Sequence, residues 1–188
     1  MNDDIIRTEA MKAVCDICDT IIKKVDRAYI LDCAKKKEMP EKLWHLWADT
    51  GLLAIGLPEE YGGVGGKVSE VVLAHDLLHR AGLLLPLSVP NYMSRTPILK
   101  HGTEAQKQRY LPPTATGEEF FAFCITEPDA GTNTFKIRTK AQRQPSGDYI
   151  LNGQKCFITA WEEAAHALVV ARTSPVDAAK RTSGLTLF

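Results

Sequence analysis

The sequence predicts an α+β fold, a helical N-terminal half followed by a small β domain. Three observations point there. Apolar residues recur every three or four positions from residue 3 to about 120, as on helices that each bury one face. After Gly117 the period changes to two. Turn-forming pairs then cluster at Pro145-Ser146-Gly147-Asp148 and Asn152-Gly153. The expected domains are 1–119, an all-α helical bundle, and 120–188, an incomplete antiparallel β-barrel or sheet domain.

The first helix is expected from Asp4 to the Lys35-Lys36-Lys37 stretch, where cations suit the negative end of the helix dipole. Pro40 suits the first turn of the next helix, with Leu43, Leu46 and Trp47 on its buried face and Gly51 closing it. Leu57 to Gly66 reads as a glycine-rich loop, and Val68 to Ala81 resumes the helical period. Thr103-Glu104-Ala105-Gln106 forms a capping box, opening a helix that should stop before Pro112-Pro113. Pro112 to Gly117 is the nearest thing to a linker. In the β domain, Phe135 to Ala141 alternates as a half-solvated strand, and Asn152-Gly153 suits a type I′ hairpin. Ala167 to Arg172 and Gly184 to Phe188 supply further strands, the last with no partner in view.

Composition narrows the function classes. The 188-residue chain has 23 basic and 23 acidic side chains, so no net positive field draws it to nucleic acid or anionic lipid. Its apolar runs fall far short of the ~20 residues that span a bilayer. The N-terminal residues do not read as a secretory signal, since Asp3 and Asp4 replace the usual basic start. A cytoplasmic protein is the expectation. Five cysteines, an odd number in a chain of this size, read as reduced thiols. Cys15 and Cys18 form a C-x-x-C, but on a helical apolar pattern with no second ligand pair.

Two further motifs fail. The glycines at 62–66 lack the third glycine of a dinucleotide fingerprint, because Val68 stands there. His75 and His79 are one helical turn apart, but Asp76 replaces the glutamate that metal-dependent proteolysis needs, so they read as helix-surface histidines with no metal. No Ser or Cys occupies a nucleophile elbow.

The segment Phe123-Cys124-Ile125-Thr126-Glu127-Pro128-Asp129-Ala130-Gly131-Thr132 is different in kind. It gathers hydroxyls, aromatic surface, backbone amides and glycine, the groups a flavin needs along its pyrimidine edge, its ring face and its pyrophosphate. Together with Asn152-Gly153-Gln154-Lys155-Cys156-Phe157-Ile158-Thr159 it resembles the flavin-binding signature of acyl-CoA dehydrogenases. The resemblance extends through Leu57 to Gly63, Gly102 to Lys107 and Ala171-Arg172. It implies FAD as cofactor and α,β-desaturation of an acyl-CoA, with electrons leaving to an electron-transfer flavoprotein. By matching position it places Phe123, Cys124 and Ile125 beside the ring system, and Thr126 on the pyrimidine edge. Phe157 then packs on the ring, Ile158 and Thr159 lie near the central nitrogen, and Gly131 permits close backbone approach. Thr132 takes the family's serine position, facing both the pyrophosphate and the coenzyme A moiety. Thr132 for Ser keeps the hydroxyl, Asn133 for Asp loses a charge, and Phe157 for the commoner Trp keeps a stacking face. By the same analogy a helix near Val89 to Leu99 lines the acyl pocket.

Family members continue beyond Phe188 into a helical domain carrying the catalytic base. None of the carboxylates here is therefore assigned as base, Glu127 is assigned to loop structure, and the chain alone is expected to be inactive. An oligomer is implied when the protein is complete. Two alternatives remain: a non-catalytic, partner-dependent subunit, and a flavin oxidase or monooxygenase of the same fold.

Overall fold

A computed structural model describes residues 8–188. The chain divides into two compact units: one takes in the chain up to Ser88 with Arg95–Glu119, the other Val89–Ser94 with Phe120–Phe188.

The helical unit is built from α1 (Glu9–Lys24), α2 (Arg27–Lys36), α3 (Glu41–Asp49), α4 (Val68–Arg80), α6 (Glu104–Thr116) and, outside Val89–Ser94, the residues of α5 (Ser88–His101). Val14, Cys18 and Ile21 of α1 face Leu73, Ala74 and Leu78 of α4, and the two helices pack together. Leu43 and Trp47 of α3 and the segment Leu52-Leu53 complete the core. Trp44 takes the buried place expected of Leu46, which is only half-buried.

The single first helix of the sequence reading is two. Its expected start at Asp4 lies outside the described residues. The break falls at Val25-Asp26, because the Asp26 carboxylate accepts the Tyr29 amide at 2.8 Å and so caps a new helix. Pro40 stands one position before its helix, as the N-cap of α3. The expected stop before Pro112 is also corrected, since α6 runs through both prolines to Thr116. Burial of Leu111, Thr114 and Ala115 holds this last turn, and the hydroxyls of Thr114 and Thr116 bond the carbonyls of Leu111 and Pro113. The true terminator is Gly117 at φ 77°, whose carbonyl accepts the Trp44 indole N–H at 2.9 Å. The Thr103 capping box forms as expected.

The second unit holds a mixed five-stranded sheet of β1 (Phe121–Cys124), β2 (Lys140–Arg143), β3 (Tyr149–Asn152), β4 (His166–Arg172) and β5 (Leu185–Leu187). β1 runs parallel to β4, with Phe121 opposite His166. The Pro145–Asp148 hairpin joins β2 to β3, with Lys140 opposite Asn152. β5 finds its partner in β4, with Val170 opposite Leu187, so the last strand is paired where the sequence left it unpaired.

Two other expectations change. Residues 134–136 form a 3-10 turn and the strand starts only at Lys140. The intervening amides of Arg138 and Thr139 are taken by the Glu127 carboxylate and so do not enter a sheet ladder. Asn152-Gly153 is not a type I′ turn: Gly153 is absent from the positive-φ glycines. Glycine is required there by close approach, because a Cβ would fall 2.3 Å from Thr139 Oγ1. Among the described residues no helix is long and apolar enough to cross a membrane.

Asp26→Ala should cost about 1 kcal/mol through loss of the α2 cap. Urea denaturation followed by circular dichroism measures it, and an unchanged midpoint contradicts the capping role.

Candidate functional site

The signature residues meet inside the second unit. β1 delivers Phe123 and Cys124, and the chain continues through Ile125 and Thr126 into a tight turn at Glu127-Pro128-Asp129-Ala130. Glu127 and Ala130 exchange both backbone hydrogen bonds across this turn, each at 3.1 Å. Phe123 and Ile125 pack half-buried against the cluster of Ala130, Ile137 and Val170, and Leu185 joins them. Cys124 is buried, which pushes its thiol pKa up, although Lys155 nearby opposes the shift. Phe123, Cys124 and Ile125 are thus committed to packing, leaving Thr126, half-buried, as the first group presented at the strand end.

The second half of the signature closes onto this strand. The Cys156 amide donates to the Thr126 carbonyl at 3.0 Å. Immediately beyond, Phe157 adopts φ 55° and leaves its side chain 92% exposed. A non-glycine residue at positive φ is uncommon, and such strain persists where the surrounding structure imposes it. Ala160 repeats the left-handed backbone at φ 64°. Ile158 is half-buried and Thr159 exposed. The structure therefore brings Thr126 next to the Phe157–Thr159 turn. Gly131 and Thr132 lie exposed past the tight turn, and a Cβ on Gly131 would meet nothing within 4 Å.

Beneath this surface lies a group whose full role the sequence did not reveal. Glu127 is buried. Its Oε1 accepts the Thr139 amide and the Lys155 ammonium, both at 2.9 Å, and its Oε2 accepts the Arg138 amide. Lys155 also donates to the Ile125 carbonyl at 3.0 Å. Burial alone would raise the Glu127 pKa; the Thr139 side chain, the Arg138 amide, Lys155 and the Thr139 amide overcome it and hold the carboxyl at about 2. The amides and the ammonium are the effective partners, since Thr139 Oγ1 is buried outside bonding geometry. Glu127 is committed to structure, with both carboxylate oxygens engaged by the protein's own donors. Arg172 plays a related part, its guanidinium donating to the carbonyls of Ile137, Phe135 and Ser183.

Beside the tight turn lies an open cleft of about 760 Å³, lined by Asp129, Lys136, Arg138, Lys140, Arg172 and Val176 among others. Arg138 pairs with Asp129 at 2.9 Å on its exposed rim.

The chain matches the acyl-CoA dehydrogenase N-terminal domain over residues 8–118 and the acyl-CoA dehydrogenase middle domain over residues 122–188. The chain belongs to the acyl-CoA dehydrogenase family. It is 39% identical over 176 residues to the acyl-CoA dehydrogenase FadE12 of Mycobacterium tuberculosis, covering 93% of this chain and 45% of the relative. A 3-(aryl)acrylate reductase of Clostridium sporogenes is 38% identical over 157 residues, covering 82% and 40%. The butyryl-CoA dehydrogenase structure from Megasphaera elsdenii superposes with a TM-score of 0.82 at 28% identity, over 97% of this chain and 48% of that one. This family member thus spans about half the length of the curated relatives it matches.

The Cys15–Cys18 and His75–His79 pairs both lie in the helical unit, on α1 and α4. Cys15 and Cys18 lie on α1 as free thiols, and burial pushes Cys18 up to about 12. His75 and His79 are half-buried, where the sequence read them as surface residues. His75 faces the Trp47 ring at 4.9 Å and His79 Nε2 at 3.4 Å; burial, then the His79 charge, push its pKa down to about 4. No cluster of three potential metal ligands occurs among the described residues.

The depressed Glu127 pKa fixes an acid response. Its contribution to stability is complete above the ordinary carboxyl value of 4.5 and is lost as pH falls towards about 2, because the unfolded chain takes up the proton first. Glu127→Gln should therefore flatten the loss of stability between pH 4.5 and 2. Denaturant titrations across that window test this, and parallel curves for the two proteins would falsify it.

Proposed function

We propose that this chain supplies part of an FAD and acyl-CoA site for α,β-dehydrogenation of an acyl thioester. The observation that carries the reading is Phe157: a fully presented aromatic ring on a left-handed backbone, tied beside Thr126 by the Cys156 amide. A residue so placed gains nothing from burial within the chain. It suits the face of a flat ring system.

FAD fits the groups present. Phe157 would cover the isoalloxazine, with Ile158 and Thr159 toward its centre and Thr126 on its pyrimidine edge. The backbone of Phe123, Cys124 and Ile125 would border it, since Phe123 and Ile125 pack on the β core and Cys124 is buried. Gly131 and Thr132 would meet the pyrophosphate, and Thr132 the acyl-CoA as well. Bound FAD supplies the oxidant that takes the β hydride. The basic cleft with Lys136, Arg138 and Lys140 offers charge suited to the phosphates of coenzyme A. No catalytic residue is assigned, because the buried Glu127 is already engaged by two amides and an ammonium. An electron-transfer flavoprotein is the proposed acceptor, with the chain in an oligomer and in the cytoplasm.

A second reading is favoured by the Clostridium sporogenes relative, named a 3-(aryl)acrylate reductase. The same groups would then serve reduction of an enoyl substrate, the reverse chemistry on the same cofactor.

Titrating the purified chain into FAD should quench flavin fluorescence saturably. Phe157→Ala should weaken that binding about tenfold, as loss of a stacking face implies. Absence of saturable binding by the unsubstituted chain sinks the reading. The chain alone, mixed with FAD and an acyl-CoA, should give no turnover; steady product formation would mean that the base lies among its own carboxylates.

A further inference from the structure

Phe157 and Ala160 both hold left-handed backbone, and residues 153–159 belong to no helix or strand. Phe157 is 92% exposed, so its own side chain does not anchor the segment. What holds it lies just before, in Lys155 and Cys156. The Cys156 amide reaches the Thr126 carbonyl, and Lys155 reaches past it to the Ile125 carbonyl and the Glu127 carboxylate. The Lys155 and Glu127 side chains are only 11% and 5% exposed. Glu127 in turn holds the amides of Arg138 and Thr139, and Gly153 lies against Thr139 with no room for a side chain. Three separate segments therefore close on one carboxylate, and Lys155 is the member that carries the Phe157 turn.

A buried ion pair is a poor source of net stability, since desolvation offsets much of its attraction; its best-attested benefit is a single defined register. An apolar pair of similar volume would pack here without fixing where the chain enters the turn. Three donors on one ammonium, two of them aimed at groups two residues apart just past the end of β1, define that entry.

We propose that Lys155 is a positioning residue: through its pair with Glu127 it sets the Phe157 turn against the strand end carrying Thr126, and so spaces the ring-face contact from the pyrimidine-edge contact. The proposal deepens the FAD reading above and rests on it for its functional meaning. Lys155 acts in this proposal through Glu127 and the turn it holds.

The test uses the whole 188-residue chain and two readouts. In Lys155→Ala, amide hydrogen exchange at Cys156 should quicken at least tenfold, with α1 and α6 unchanged. Propylammonium, which replaces the missing atoms and charge, should restore protection, and propanol should not; Lys155→Arg should retain most of it. Unchanged exchange overturns the proposal, as does a loss that propanol repairs equally well or that neither additive repairs while Lys155→Arg behaves like Lys155→Ala. FAD titration supplies the second readout: at least tenfold weaker binding in Lys155→Ala, recovered with propylammonium, is expected, and equal affinity overturns the link to the cofactor. Should the unsubstituted chain bind no FAD, the functional reading fails on that measurement, and hydrogen exchange still decides whether Lys155 positions the turn. If Lys155→Ala fails to fold, Lys155→Met, which keeps the stem and removes the charge, takes its place without the additives: quickened exchange at Cys156 that Lys155→Arg avoids is expected, and unchanged exchange overturns the proposal.

Discussion

The second unit depends on a single buried carboxylate finding enough donors. Glu127 leaves water only because two amides and an ammonium replace its hydration. That exchange determines other features in turn. It withdraws the amides of Arg138 and Thr139 from any ladder and so delays β2 until Lys140. It draws Lys155 across to the end of β1. It also presses Gly153 against Thr139 so closely that only glycine fits. Removing the charge would leave these donors without their anionic partner beside the cluster of Ala130, Ile137 and Val170.

Much of this was legible in the sequence where local chemistry decides the outcome. The Thr103 capping box, the Val68 helix and the Pro145–Asp148 hairpin each follow from residues within a few positions of one another. The failures share a different cause. Alternation at Phe135–Ala141 was real, yet a carboxylate far upstream claimed the backbone donors that a strand would have used. Asn152-Gly153 carries a strong turn signal, and Lys155 overrides it by tying the following chain to Ile125 and Glu127. Prolines 112 and 113 predict a stop, but the burial of Leu111 and Ala115 outweighs the lost hydrogen bonds one turn before Gly117 ends the helix.

The candidate site divides along the same line. The residue types of the signature could be read directly, because hydroxyl, aromatic and glycine positions announce themselves. Their division of labour could not. Phe123 and Ile125 belong to the β core, Phe157 faces outward on a strained backbone, and this contrast depends on which strand face meets Ala130, Ile137 and Val170. Lys155 looked like one more charged residue in the motif. Its meaning appears only when the partner 28 positions earlier is seen beside it.

The parallel pairing of β1 with β4 bears on how the chain acquires its shape. Phe121 meets His166 only after the intervening hairpin and both halves of the signature have been made. Helices α1 to α6 can begin forming from neighbouring residues, whereas β1 must wait for a strand far along the chain. During synthesis the helical segment thus emerges with its own cues, and Phe121 to Cys124 remains an unpaired apolar stretch until β4 leaves the ribosome. Such an interval favours premature association between nascent chains. The same topology that assembles the signature therefore sets the stage of biogenesis at which the protein is most exposed to misassembly.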